Sequence, residues 1–191
     1  MKPKPRKEQI LSVSARLFRQ KGYKATSVRI IASELGMEAA SLYNHIASKQ
    51  EILKELLLHM AGMFTVGMNS IEISDADSFQ KLENLVALHV HLTFEFPNEI
   101  ALITGEWVHL EEPAYGQYIT LRNEYEQKFK SIIRQGMEDG HLENTDIDIA
   151  LFSILSTLRW LYSWVSRHKE ISPEMLEKEM KRTLLEGVKK I

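Results

Sequence analysis

The chain has 191 residues, 44% hydrophobic and 26% charged, enough for one large domain or two small ones around a sizeable core. It has no cysteine, which excludes a disulfide framework and a thiolate metal site, and no apolar run long enough to span a bilayer. The net charge of −2 divides unevenly: residues 1–55 carry eleven Lys and Arg against five Glu, and the rest thirteen against twenty-one Asp and Glu. A basic head on an acidic body is either the footprint of a domain that meets a polyanion or a basic tail that keeps the protein soluble. The opening MKPKPRKEQ is basic with no apolar signal core behind it, so the expected location is cytoplasmic. Gly and Pro are few and strand-like alternation is scarce, which predicts an all-α fold of about nine helices.

Lys2, Lys4, Arg6 and Lys7, broken up by Pro3 and Pro5, form a basic arm. The first predicted helix runs from Arg6 to Lys21, with Ile10, Val13, Ser14, Leu17 and Phe18 along one side, and Gly22 ends it. Thr26 or Ser27 then caps a helix from Val28 to Leu35. Gly36 stops it, because glycine takes the left-handed C-cap conformation at little cost. A second short helix from Glu38 to about His45 buries Ala39, Leu42 and Ile46 and leaves some of Ser41, Tyr43, Asn44 and His45 facing out. Ser48 caps the next helix, which begins at Lys49. Helix, glycine turn, helix is the helix-turn-helix pattern, whose second helix enters the major groove of DNA.

The text LFRQKGYKATSVRIIASELGMEAASLYNHIASKQEIL closely resembles the N-terminal domain of the tetracycline-repressor (TetR/AcrR) family. The matching residues include Phe18, Gly22, Tyr23, Thr26, Ser27, Gly36, Leu42, Tyr43, His45, Ser48, Lys49 and Leu53. The resemblance implies a three-helix DNA-binding domain over residues 1–50 and a helical ligand-binding and dimerisation domain over 51–191. It implies that Tyr43 and His45, with Asn44 beside them, meet the DNA backbone, as phenol and imidazole donors to phosphate suit. Lys49 would hold a phosphate at the first turn of its helix, and Thr26 or Ser27 would cap near the opposite strand. Ala39, Ala40 and Ser41 would lie nearest the base edges, where small residues permit close approach. Two positions depart from the family pattern. Glu38 stands where a basic residue is common; its carboxylate either favours the helix N-terminus or accepts from a cytosine amino group. Ile46 replaces an aromatic and is expected to pack.

The body begins with a helix from Lys49 to about Met68 and continues after the polar text SDADS with one from Phe79 to Phe96, broken by Pro97. Helices follow over Asn98–Leu110, Tyr115–Met137 and, capped by Asp146, from Ile147 to about His168. Ser172-Pro173-Glu174 opens the last helix, with Met175, Met180, Leu184 and Val188 at usable spacings. The helix after Asp146 has almost no polar face, so it is either central in the core or shared with a partner. In TetR-like proteins the last two helices pair with their copies in a four-helix bundle, which implies a homodimer.

Nothing in the sequence marks an enzyme, a cofactor or a metal. There is no Gly-rich phosphate loop and no nucleophile elbow. His89 and His91 diverge on a helix, and Glu106 with His109 is a possible half-site with no second pair. A ligand pocket is the better reading of the body. Its apolar candidates are Met60, Met63, Phe64, Phe94, Trp107, Tyr118, Tyr125 and Trp160; its polar ones are His89, His91, Arg122 and Arg159. The alternative is that these residues are ordinary core. The Arg122–Glu126 text and the Trp160…Trp164 spacing resemble TetR-like regulators that sense acyl-CoA thioesters. The expected function is a dimeric repressor released from its double-stranded DNA operator by a small hydrophobic or acyl-CoA effector, with no membrane partner. The alternative is a helical interaction module whose basic head binds RNA or another polyanion.

Overall fold

Side-chain caps set most of the helix starts in this chain. The computed structural model describes residues 5–186. Among them run α1 (Arg6–Lys21), α2 (Val28–Glu34), α3 (Ala39–Leu42), α4 (Lys49–Glu72), α5 (Ser78–Glu95), α6 (Pro97–Gly105), a 3-10 turn (Glu106–His109), α7 (Ala114–Glu138), α8 (Ile147–Val165) and α9 (Pro173–Leu185). Ser27, Ser48, Asp77, Asp146 and Ser172 each accept a hydrogen bond from a first-turn backbone N–H. Such a cap satisfies an orphan donor and is worth about 1 kcal/mol. At α5 the cap is reciprocal, with the Gln80 side chain accepting from the Asp77 N–H.

Several expected boundaries move. The Asp77 cap starts α5 at Ser78 rather than Phe79. Pro97 does more than break a helix: it occupies the first turn of α6, where its missing N–H is no loss. The stretch expected as one helix over Asn98–Leu110 ends as α-helix at Gly105 and tightens into the 3-10 turn. The recognition helix is shorter than expected. Regular α-helix covers only Ala39–Leu42, after which Asn44 and His45 donate to Ser41 and Leu42 in the tighter i→i+3 pattern. α4 runs four residues further than Met68, and α8 stops at Val165. The arm residues Lys2 and Lys4, and Val188, lie outside the described residues.

The core forms two clusters that meet on α4. Ile10, Leu17 and Phe18 of α1, Ile31 of α2 and Leu42 of α3 pack with Ile52, Leu53 and Leu57 of α4. This first cluster reaches Leu102, Leu110 and Tyr118 of the body. Further along α4, Met60, Phe64 and Met68 enter a second cluster with α5, α7, α8 and α9. The 24 residues of α4 span about 36 Å and join head to body without a flexible linker. A second joint lies at α6, where the Arg19 guanidinium of α1 donates to the Pro97 carbonyl and the Asn98 side-chain oxygen, both at 3.3 Å.

Candidate DNA-binding face and effector cavity

Burial of Leu42 and Ile46 fixes which side of the recognition segment faces out. Ala40, Ser41, Tyr43, Asn44 and His45 are exposed on one surface, with Ala39 half-buried beside them. Gly36, at φ +62, makes the turn that brings α3 across α2, and the Met37 N–H closes it on the Ala32 carbonyl at 3.0 Å. Glu38 occupies the N-cap position of α3 but makes no side-chain cap bond. Ser27 is exposed and caps α2 through Ile30.

Thr26 must be reassigned. It is wholly buried, and its hydroxyl lies 2.9 Å from the Gly22 carbonyl and 3.4 Å from that of Leu17, to which it donates. It pins the α1–α2 connection and presents nothing to DNA. Lys49 is half-buried, with Nζ donating to the Tyr23 carbonyl at 2.9 Å and lying 4.0 Å from the Tyr23 ring centroid. Burial lowers its pKa, and two N–H donors remain for another acceptor. Arg29, exposed on α2 two residues from Ser27, is a basic group the sequence reading passed over. Its signal was a charge out of phase with buried Ile31 and Ala32.

Inside the body, α4 to α8 enclose a cavity of about 70 Å³. Of the expected residues, Phe64, His89, Tyr118, Arg122, Arg159 and Tyr125 line it. Its wall is completed by Ala61, Ile100, Ile103, Thr104, Leu121, Leu155 and Leu158, none of which the sequence placed in the pocket. Their text is that of any core helix, and only packing separates wall from filler. His89 Nε2 and the Tyr125 hydroxyl are 2.9 Å apart, and the Phe64 ring packs on both. Burial, with Arg159 nearby, pushes the His89 pKa down to about 3, so the imidazole is neutral. Burial likewise raises the Tyr125 phenol, and pushes Tyr118, whose hydroxyl donates to the Ile103 carbonyl, up to about 12.

At the mouth, one Glu126 oxygen takes Arg159 at 2.5 Å and Arg122 at 3.3 Å. Burial alone would raise the Glu126 carboxyl, but the two arginines outweigh it and hold the pKa below its ordinary value. Thr104, Arg122, Leu155 and Arg159 also wall an open groove of about 470 Å³ that runs on past Lys130, Phe152 and Trp160.

The other expected pocket residues lie elsewhere. Met60 is filler in the second cluster, and Met63 and Phe94 pack half-buried against it. Trp107 stands behind the wall in the 3-10 turn, stacked on Tyr118 and Tyr115 with the Arg122 guanidinium 5.2 Å from its ring. His91 is exposed and pairs with Glu177 at 3.1 Å. Trp160 is 59% exposed on the outer face of α8 with Ile149, Phe152 and Trp164. This face carries the apolarity that the sequence could assign either to the core or to a partner. Glu106 Oε2 and His109 Nε2 lie 3.4 Å apart, and no group of three or more metal-ligating side chains occurs among the described residues. No helix among them is long and apolar enough to cross a membrane.

Comparison with known proteins matches residues 10–56 to the model of bacterial regulatory proteins, tetR family, and residues 75–188 to the tetracyclin repressor-like C-terminal domain. The chain is similar to the HTH-type transcriptional repressor KstR2 of Rhodococcus jostii, 27% identical over 186 residues, covering 96% of this chain and 91% of the relative. Its fold is that of the ketosteroid transcriptional regulator KstR2 of Mycobacterium tuberculosis, with a TM-score of 0.88 at 22% identity over 100% of this chain and 98% of the other. It also shares the fold of AibR, solved in complex with isovaleryl coenzyme A and operator DNA, with a TM-score of 0.81 at 23% identity over 94% and 97% of the two chains. With both halves matched, the chain belongs to the tetR family of bacterial regulatory proteins and is a DNA-binding transcriptional regulator.

Proposed function

We propose that this regulator is a homodimeric, cytoplasmic repressor that leaves its operator when an acyl group, carried as a CoA thioester, enters the cavity of the body. The observation that carries the reading is the neutral His89–Tyr125 pair, set in an apolar cavity that opens into a groove edged by Arg122, Lys130 and Arg159. The cavity suits an uncharged acyl chain and its carbonyl; in the groove Arg122 and Arg159 pair with Glu126 and Lys130 with Asp148, so the phosphates of the carrier would take these three cations by displacing the two carboxylates. AibR, solved with isovaleryl coenzyme A, supports that ligand class by likeness of fold. Residues 1–50 would form the DNA-binding head and 51–191 the ligand-binding and dimerisation body. Ser27, Ala39, Ala40, Ser41, Tyr43, Asn44, His45 and Lys49 are the proposed DNA contacts. Binding rather than catalysis is the proposed role, as suits a chain matched to a family of transcriptional regulators.

A space of about 70 Å³ is well below the ~300–1,000 Å³ of ordinary ligand sites. An effector must therefore part the wall, and Ala61 and Phe64 put α4 in that wall. Movement of α4 carries Lys49 and the recognition segment with it, which is the coupling a two-state regulator needs. The test is a titration of labelled duplex from upstream of the protein's own gene, with and without isovaleryl-CoA, longer and cyclic acyl-CoAs, and the matching free acids. An acyl-CoA is expected to weaken DNA binding by about five- to 150-fold. Release by the free acids alone would overturn the thioester reading, and release by none of these compounds would overturn the acyl reading.

A further inference from the structure

We propose that His109 is a positioning residue for DNA binding: its ring, stacked on Tyr23, holds the platform on which the Lys49 ammonium sits. The inference rests on the reading of Lys49 as a phosphate contact. Tyr23 is buried, with Phe18 edge-on at 5.1 Å and the His109 ring stacked at 5.5 Å and 24°. Lys49 Nζ is bound to the same residue twice, through the carbonyl at 2.9 Å and over the ring at 4.0 Å. A lysine held in one place loses less rotamer freedom when it meets a phosphate than a free one does. Whatever fixes the Tyr23 ring therefore fixes where the Lys49 charge is offered.

His109 is itself held from two directions. Glu106 pairs with its Nε2 at 3.4 Å, and the Gln50 side chain, next to Lys49, donates to its carbonyl at 2.7 Å. The same 3-10 turn touches the cavity on its other side. Trp107, two residues earlier, stacks at 6.0 Å on Tyr118, whose ring is part of the cavity wall. Ring contacts thus join Trp107 to the cavity wall and His109 to Tyr23 beneath Lys49, and the backbone of the 3-10 turn links the two, a route that bypasses the length of α4. A displacement of Tyr118 by a ligand reaches Lys49 through the turn as well as through the helix.

The experiment is a double-mutant cycle on the full-length protein, read as affinity for the upstream duplex and as the slope of log affinity against log salt. Lys49→Ala should weaken binding and reduce the slope by about one phosphate contact. His109→Ala keeps the backbone bond to Gln50 but removes the ring; it should weaken binding about two- to tenfold, the range for one lost aromatic contact, and reduce the slope in part. His109→Phe should restore most of the loss, because it can stack. In the Lys49→Ala background, His109→Ala should have no further effect. Circular dichroism and light scattering on each variant confirm that fold and assembly are kept, and the phenylalanine variant serves if the alanine variant unfolds. Additive effects of the two alanine changes, or a normal slope in His109→Ala beside a weakened Lys49→Ala, would overturn the positioning role. Unchanged DNA binding in Lys49→Ala would instead overturn the reading of Lys49 on which it rests.

Discussion

Replacing Trp160 by glutamate separates two roles that the sequence left confounded. Trp160 is 59% exposed on α8, between the groove that leads to the cavity and a second groove shared with α9. An aromatic side chain buries up to about 250 Å², so roughly 150 Å² of this one is open to cover. At about 25 cal/mol per Å² a partner that covered all of it would gain nearly 4 kcal/mol, and one that covered half about 2 kcal/mol. A two-fold interface contains the residue twice, so Trp160→Glu should cost about 4 kcal/mol of association, a factor of about 1,000 in the dimer dissociation constant. The charge introduced into an apolar contact adds to this. Sedimentation velocity at low micromolar protein should find the parent chain at twice 22.1 kDa and the variant at 22.1 kDa. A variant that stays dimeric but no longer responds to effector would refute the reasoning and return Trp160 to the pocket.

Three further outcomes follow from the same contacts. Ala61→Leu fills the small cavity from the α4 side; DNA titrations with and without effector should lose most of their difference, while melting reports an overpacking cost of about 1–3 kcal/mol. An unaltered effector response would remove Ala61 from the binding wall. Thr26→Val leaves the Gly22 carbonyl without its hydroxyl donor, so thermal unfolding should report a loss of about 1–3 kcal/mol with DNA affinity of the folded protein unchanged. A normal melting point with weakened DNA binding would restore Thr26 to the interface. His89 is held at about 3 in the fold against 6.5 when unfolded, so between these values the unfolded chain binds more protons. The stability tied to its neutrality is present above pH 6.5 and drains away as pH falls toward 3, and His89→Phe should flatten that acid limb in urea unfolding at pH 7 and pH 4.5. Equal pH dependence in both proteins would show that His89 is not the buried group responsible.

The sequence alone determined what depends on neighbours along the chain. Ser48, Asp146 and Ser172 cap because each needs only a backbone N–H two or three residues ahead. Gly22 and Gly36 end their helices through their own backbone conformation, and the helix-turn-helix motif is written in one stretch of text. Tertiary structure decided everything that depends on the direction of a side chain toward a distant partner. Periodicity put Thr26 and Ser27 together at a helix start, but only packing against Leu17 and Gly22 turned one inward and left the other exposed. Met60, Met63 and Phe64 are consecutive on one apolar stripe, yet Phe64 alone reaches the cavity, because the stripe says which side is dry and not where the packing leaves a void. His89 meets Tyr125, Lys49 meets Tyr23 and Tyr23 meets His109 across 36, 26 and 86 residues. Those pairings arise where helices cross, and the crossing is set by the summed fit of two core clusters rather than by any local signal.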